Sequence, residues 1–249
     1  MKRLILILLS IIGAVTLCKG QPKMDTLYVY GPGGPFAPIQ ECAQLYGKQH
    51  GIFIKVVAGP QQVWLKEATE HADLFFGGAE YMLTQFATEH PELVVPESRS
   101  ELYMRTAAIL VRPGNPKNIK SLKDLGRPGI QILDVNGAGQ MGLWEDLAGK
   151  QKLIGAIQQN IRKTFANSAL GIAAWNADNS YDAWITFESW HNRLPEVTSL
   201  VNLPVAQTVY RGTPVVLSSK SRHADLTKDL VKFMRSQQGH KIFIKWGWK

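Results

Sequence analysis

Short apolar runs alternate with stretches of helical spacing along the first third of the chain. Leu27-Tyr28-Val29-Tyr30 is strand-like, and residues 36–47 then place Phe36, Ile39, Cys42 and Leu45 on one helical stripe. Residues 52–57 form a second strand-like run, 62–70 a second helix, and 73–78 a third strand. Apolar positions three and four apart mark a helix with one buried face, and short apolar runs bounded by glycine or proline mark buried strands. Strand–helix alternation with short connections predicts a parallel sheet covered by helices. Ligands of such sheets gather beyond the carboxyl ends of the strands.

The pattern changes near Ala107. Residues 107–111 read as a strand, followed by the turn-forming Arg112-Pro113-Gly114-Asn115-Pro116. A short helix at 121–125, a strand at 130–135, helices at 141–149 and 151–162, a strand at 164–166 and a helix–strand unit over 168–187 repeat the alternation. This predicts a second α/β region. Val209-Tyr210 and residues 214–217 read as extended again. Residues 224–238 read as one amphipathic helix with Leu226, Leu230, Val231 and Met234 on one side, and the aromatic end at 242–248 is expected to dock on a core. The chain shows no internal repeat.

Lys2 and Arg3 precede an uncharged run from Leu4 to Leu17, then Cys18-Lys19-Gly20. A positive start, a short apolar run and small residues at its end describe a secretory signal peptide. The run is shorter than the ~20 residues that span a bilayer. Cleavage after Gly20 is expected, with lipidation of Cys18 or a membrane anchor as alternatives.

Removing residues 1–20 takes away Lys2, Arg3 and Lys19 and no acid, so a net charge of +8 becomes +5. The remaining bases are scattered, and no run resembles a nucleic-acid patch. Cys42 is then the sole cysteine, so no internal disulfide forms, and its stripe position predicts a small buried apolar residue. An apolar fraction of 45% supplies the core that such a protein needs. No G-x-S-x-G, H-E-x-x-H or Cys–His spacing occurs, and the six histidines are scattered without metal-ligand spacing. Neither an enzyme nor a metal protein is expected, and no cofactor.

Three small-residue loops link strands to helices: Gly31-Pro32-Gly33-Gly34-Pro35, Ala58-Gly59-Pro60-Gln61-Gln62 and Asn136-Gly137-Ala138-Gly139-Gln140. A helix start offers unpaired N–H groups at the positive end of the dipole, and so receives anions. Gly137 to Gly142 also fits G-x-G-x-x-G, but the acidic residue ~20 positions on that a dinucleotide ribose requires is missing. Phe76-Gly77-Gly78-Ala79-Glu80 is a fourth small-residue loop, where Glu80 disfavours a bare anion. Arg105, before the crossing strand, is a candidate for gripping an oxyanion, as is Arg211 beside Tyr210. Glu188 ends a strand on the expected ligand side.

Taken together, Leu27 to Pro35, Val57 to Pro60, Ala79 to Met82, Ala107 to Pro116, Val135 to Gln140, Gly142 to Asp146 and Lys245 to Trp248 resemble the accessory colonization factor AcfC family, exported relatives of molybdate- and sulfate-type periplasmic binding proteins. The resemblance implies a type II periplasmic binding protein fold. It has two α/β lobes, 21–108 with 207–249 and 109–206, joined by two crossing strands about a ligand cleft. It also implies a periplasmic, monomeric solute-binding protein read by a membrane transporter or chemoreceptor. By position the ligand loops fall on Gly33, Gly34, Gly59, Pro60, Gly78, Ala79, Asn136, Gly137, Ala138, Gly139, Gln140 and Glu188, with Arg105 and Tyr210 at the crossings. Serines typical of the first two molybdate loops are replaced here by glycine, proline and glutamine, which opens the range of anions to small carboxylates. An exported enzyme using Glu188 or Glu80 as base, and an adhesion factor without a working cleft, are the alternatives.

Overall fold

The computed structural model describes residues 26–249 apart from Ala138. The expected signal peptide and Cys18 lie outside the described residues. In chain order, β1 (Thr26–Gly31), α1 (Phe36–His50), β2 (Phe53–Ala58), α2 (Gln61–His71), β3 (Leu74–Phe76) and α3 (Glu80–Glu89) form the first α/β alternation. The long strand β4 (Ser100–Val111) leads to β5 (Ile132–Val135), α4 (Leu143–Lys150), α5 (Ile154–Gln158), β6 (Ile161–Phe165), α6 (Ser168–Ala177), β7 (Ala183–Phe187), α7 (Glu188–His191) and β8 (Ser199–Asn202). The strand β9 (Tyr210–Leu217) and the helices α8 (Ala224–Met234) and α9 (Gln237–Lys245) complete the chain.

The strands join in the order β2-β1-β3-β9-β4-β7-β5-β6, with β8 beside β4. Each end of this order is parallel, as the alternation predicts: β1 pairs with β2 and β3, and β5 with β6 and β7. The middle is antiparallel, because β9 pairs with β3 and β4, and β4 with β7 and β8. The sheet is therefore mixed rather than parallel throughout. Its antiparallel strands are those that carry the chain between the two parallel parts. At the crossing Arg105 lies opposite Arg211, and the Thr208 hydroxyl donates to the Ala107 carbonyl at 3.0 Å.

Alternation along β1 explains how both faces of its sheet are covered. Leu27 and Val29 enter one core with Ile39, Cys42, Leu230 and Phe243, from α1, α8 and α9. Tyr30, on the other face, enters a second core with Trp64, Phe75 and Phe86, from α2, β3 and α3. A third core gathers residues between Ala107 and Val209, with Trp175, Trp184 and Phe187 among its largest members. Trp248 packs into the first of these cores.

Three local differences from the sequence pattern have physical causes. The helix expected over 151–162 is the short α5, because Asn160 donates its amide to the Leu125 and Arg127 carbonyls and Ile161 pairs with Ile132 in the sheet. The helix expected over 224–238 breaks at Ser236, whose hydroxyl caps α9 by accepting from the Gly239 N–H. The strand β8 is too short and too mixed in polarity to announce itself, and forms because β4 offers it an edge.

Cys42 is fully buried, and burial pushes its thiol up to about 12. The thiolate is the reactive form. Peptide mapping after treatment with iodoacetamide at pH 8 should find the Cys42 peptide unmodified in the native chain and fully alkylated in denaturant. Rapid native labelling would contradict this burial.

Candidate functional site

A cavity of about 480 Å³ opens between the core of β1–β3 and the core of β5–β7. On one side its wall is Pro32 and Gly33 ahead of α1, and Gly59, Pro60, Gln61 and Gln62 at the start of α2. On the other side it is Ala166, Asn167, Ser168 and Ala169 at the start of α6, with Trp190 and Arg193. The floor is apolar, made of Trp64, Phe75, Phe76, Leu83 and Phe86.

Two helix N-termini therefore meet at one space. Neither α2 nor α6 carries an acid in its first turn, so no side chain of their own neutralises those positive ends. In α2 the N-cap is Pro60, which contributes no donor and no side-chain cap, while the Gly59 N–H donates to the Gly31 carbonyl. The Trp64 indole donates to the Gly59 carbonyl at 3.1 Å and fixes that loop. In α6, Asn167 caps the helix by accepting from the Leu170 N–H. Ser168 follows, and its hydroxyl oxygen accepts from the Gln140 amide at 3.0 Å. This leaves the Ser168 hydroxyl hydrogen available to donate.

Arg193 supplies the charge. It is the one charged side chain lining the cavity among the described residues. Its guanidinium lies over the Trp190 ring, 4.4 Å from the centroid, and donates to the Gly33 carbonyl at 3.1 Å. Burial lowers its pKa from the usual arginine value. A half-buried guanidinium stacked on an aromatic face has lost part of its water, which strengthens its attraction for an anion.

The structure distributes the predicted site residues between this cavity and a neighbouring packed region. Gly33, Gly59 and Pro60 line the cavity, Gly34 lies buried just behind Gly33, and Gln140 reaches it through Ser168. Gly78, Ala79, Arg105 and Gly139 meet away from the lining. Arg105 is fully buried, donates to the Gly78 carbonyl, and lies 4.0 Å from the Phe187 ring centroid and 5.6 Å from that of Trp248. Its Nε and Nη1 have no partner among the described residues, and burial lowers its pKa to about 9. Gly139 has φ +88, and a Cβ there would overlap the Gly78 carbonyl, so this loop needs glycine for close packing. Ala138 lies outside the described residues. Asn136 is exposed, and its N–H donates to the Phe165 carbonyl, while the Gly137 carbonyl receives the Gln140 N–H.

Two acids at other helix starts have partners in the fold. Glu80 accepts from the Gly212 N–H at 2.7 Å, and Glu188 lies 3.4 Å from the Lys249 ammonium. Arg211 pairs with Asp146 at 2.5 Å, and Tyr210 is exposed beside it. Among the described residues no three His, Cys, Asp or Glu side chains are grouped to hold a metal ion.

Sequence reasoning missed Arg193 and the start of α6. No glycine marks that helix start; the Asn167-Ser168 pair after the strand at 164–166 is the local signal, since those residue types start helices. Arg193 had no comparable signal, because only the tertiary fold carries it from the end of α7 to Gly33.

The chain belongs to the bacterial extracellular solute-binding protein family, whose sequence profile matches residues 27–249. A crystal structure of PEB3 with L-phospholactate bound is similar at 30% identity, covering 90% of this chain and 99% of that one, with a TM-score of 0.82. Peb3 from Campylobacter jejuni is similar at 31% identity over the same shares, with a TM-score of 0.80. The sulfate-binding protein SubI from Mycobacterium tuberculosis shares the fold at 16% identity, covering 90% of this chain and 86% of that one, with a TM-score of 0.74. The fold is thus the type II periplasmic binding protein fold expected from the resemblance. Comparison with curated proteins finds no match.

Proposed function

We propose that this solute-binding protein captures a small organic anion, bearing a phosphate or carboxylate group, in the cavity between its two α/β parts. One observation carries the reading: two helix starts without first-turn acids and one stacked guanidinium, Arg193, face a single space. Backbone N–H groups of Gln61, Gln62, Ser168 and Ala169 would hold the anion together with the Ser168 hydroxyl and Arg193. The L-phospholactate bound by PEB3 supports a ligand of this chemistry. The finer placement, among the accessory colonization factor relatives, is part of the same proposal.

The strand topology supports a working cycle of lobe closure. On this reading residues 26–108 with 207–249 would form one lobe and 109–206 the other. The lobes close about β4 and β9, a hinge motion in which a few element-terminal residues absorb the change. The Arg193 bond to Gly33 and the Arg211 pair with Asp146 are contacts that such closure would make. A membrane transporter or chemoreceptor then reads the closed form on the periplasmic side, and the protein acts as a monomer.

The test is thermal unfolding of the chain with L-phospholactate, phosphate, sulfate, molybdate and citrate in turn. A ligand at a hundredfold excess over its Kd stabilises the native state by ~2.7 kcal/mol. For a chain of this size that raises the midpoint by roughly 5–10 °C. The expected result is such a rise with at least one organic anion. No rise with any of them would overturn the reading.

A further inference from the structure

The cavity lining is of two kinds. Helix starts, Ser168 and Arg193 are polar. Trp64, Phe76, Leu83, Phe86 and Ile172 are an apolar wall that carries no charged side chain. We infer that the ligand is an amphiphilic organic anion: a carboxylate or phosphate head on an apolar body, aromatic or branched aliphatic, that packs on this apolar wall. The inference rests on the anion reading above and narrows it to a chemical class.

Size and lining argue for it together. A bare tetrahedral oxyanion wants donors on every side and, with five heavy atoms, fills only a small part of a cavity this size. The cavity, at about 480 Å³, lies within the roughly 300–1,000 Å³ typical of organic-ligand pockets. An oxyanion held at the helix starts would leave the apolar wall to water, which finds few polar partners there. A ligand carrying its own apolar surface removes that surface and the wall from water at once.

The apolar wall is also rigid, so it does not collapse onto a smaller guest. Trp64 is tied by its indole to Gly59, and its ring lies 6.2 Å from Phe75 and 5.8 Å from Phe86. Phe75 and Phe86 are themselves 4.7 Å apart, so the aromatic side chains support one another. These rings are nearly fully buried. The wall comes from both parts of the fold, since Ile172 lies on α6 and the other side from β3 and α3. An apolar body there would touch both, so closure would depend on the body as well as the head.

Isothermal titration of the full chain with matched probes tests this: inorganic phosphate against phenyl phosphate, acetate against phenylacetate, and neutral benzyl alcohol. The expected result is that each organic anion binds at least tenfold more tightly than its bare partner, with a negative heat-capacity change from apolar burial, while benzyl alcohol binds far more weakly than phenylacetate. In Ile172→Asn, and independently in Ile172→Trp, the ratio of phenyl phosphate to phosphate affinity should fall at least tenfold. Equal affinity for phosphate and phenyl phosphate would overturn the inference and leave the anion reading standing. Benzyl alcohol binding as tightly as phenylacetate would overturn the anion reading and leave an apolar pocket. Binding of none of the probes would overturn both.

Discussion

Replacing Arg193 by alanine should weaken capture of the ligand roughly 30- to 150-fold while leaving the unfolding midpoint of the ligand-free chain within a few degrees. A hydrogen bond to a charged group contributes about 1.5–3 kcal/mol, and the upper part of that range is expected where the guanidinium is partly desolvated. A loss of about 2–3 kcal/mol corresponds to that change in Kd. Arg193 reaches the cavity from beyond α7, lies over Trp190, and bonds the Gly33 carbonyl on the opposite side. It therefore holds charge against the ligand and also links the two walls. Arg193→Lys separates the two contributions. It keeps the charge but loses the planar fork that can bond ligand and carbonyl together, so an intermediate affinity is expected. Titration calorimetry with the strongest ligand of the thermal panel reads all three proteins. A Kd for Arg193→Ala within threefold of the parent would remove Arg193 from the site.

The largest effect on stability is expected at the other end of the chain. Trp248→Ala should lower the free energy of unfolding by about 3–5 kcal/mol, the usual cost of deleting a buried aromatic ring. That is a fall of roughly 6–20 °C in the midpoint. The Trp248 ring is 1% exposed, meets Phe243 edge-on at 5.9 Å, and donates its indole N–H to the buried Thr213 hydroxyl at 2.8 Å. Around it, the N–H of Met104 donates to the Lys249 carbonyl and that of Lys249 to the Met104 carbonyl, which pins the terminus against β4. Trp248→Phe keeps most of the apolar volume and loses the hydrogen bond, so about 1–2 kcal/mol is expected. Trp248 also covers the Arg105 guanidinium. Its removal gives that buried cation access to water, so Trp248→Ala and Arg105→Met should be non-additive by at least ~0.5 kcal/mol. A fall of less than ~3 °C for Trp248→Ala, measured by calorimetry, would show that the terminus does not anchor the core.

Local patterning carried the two α/β alternations. Apolar runs such as Leu27–Tyr30 and the stripe of Ile39 and Cys42 need only near neighbours to declare a strand or a helix face, and β1, α1 and their buried residues lie where that pattern puts them. The same holds for the aromatic end, where side chains as large as Phe243 and Trp248 have few places to go but a core. The family resemblance likewise rests on contiguous motifs, and the type II fold follows from it.

Antiparallel pairing in the middle of the sheet was not legible, because residues far apart in the chain decide it, as where Arg105 meets Arg211. The candidate site divides along the same line. Glycine and proline at 33, 59 and 60 announced a loop ahead of a helix, since backbone geometry is a local property, and those residues line the cavity. Glycine at 139 gave the same local signal, yet its neighbours place it in close packing against Gly78 and Arg105. Whether a small residue makes room for a ligand or for another backbone depends on what the fold brings opposite it. The sequence by itself determined the two α/β alternations, most of their buried faces and the kinship with solute-binding proteins. Only the tertiary structure decided that the starts of α2 and α6 share one cavity with Arg193, because charge and apolar wall converge there from segments separated by more than a hundred residues.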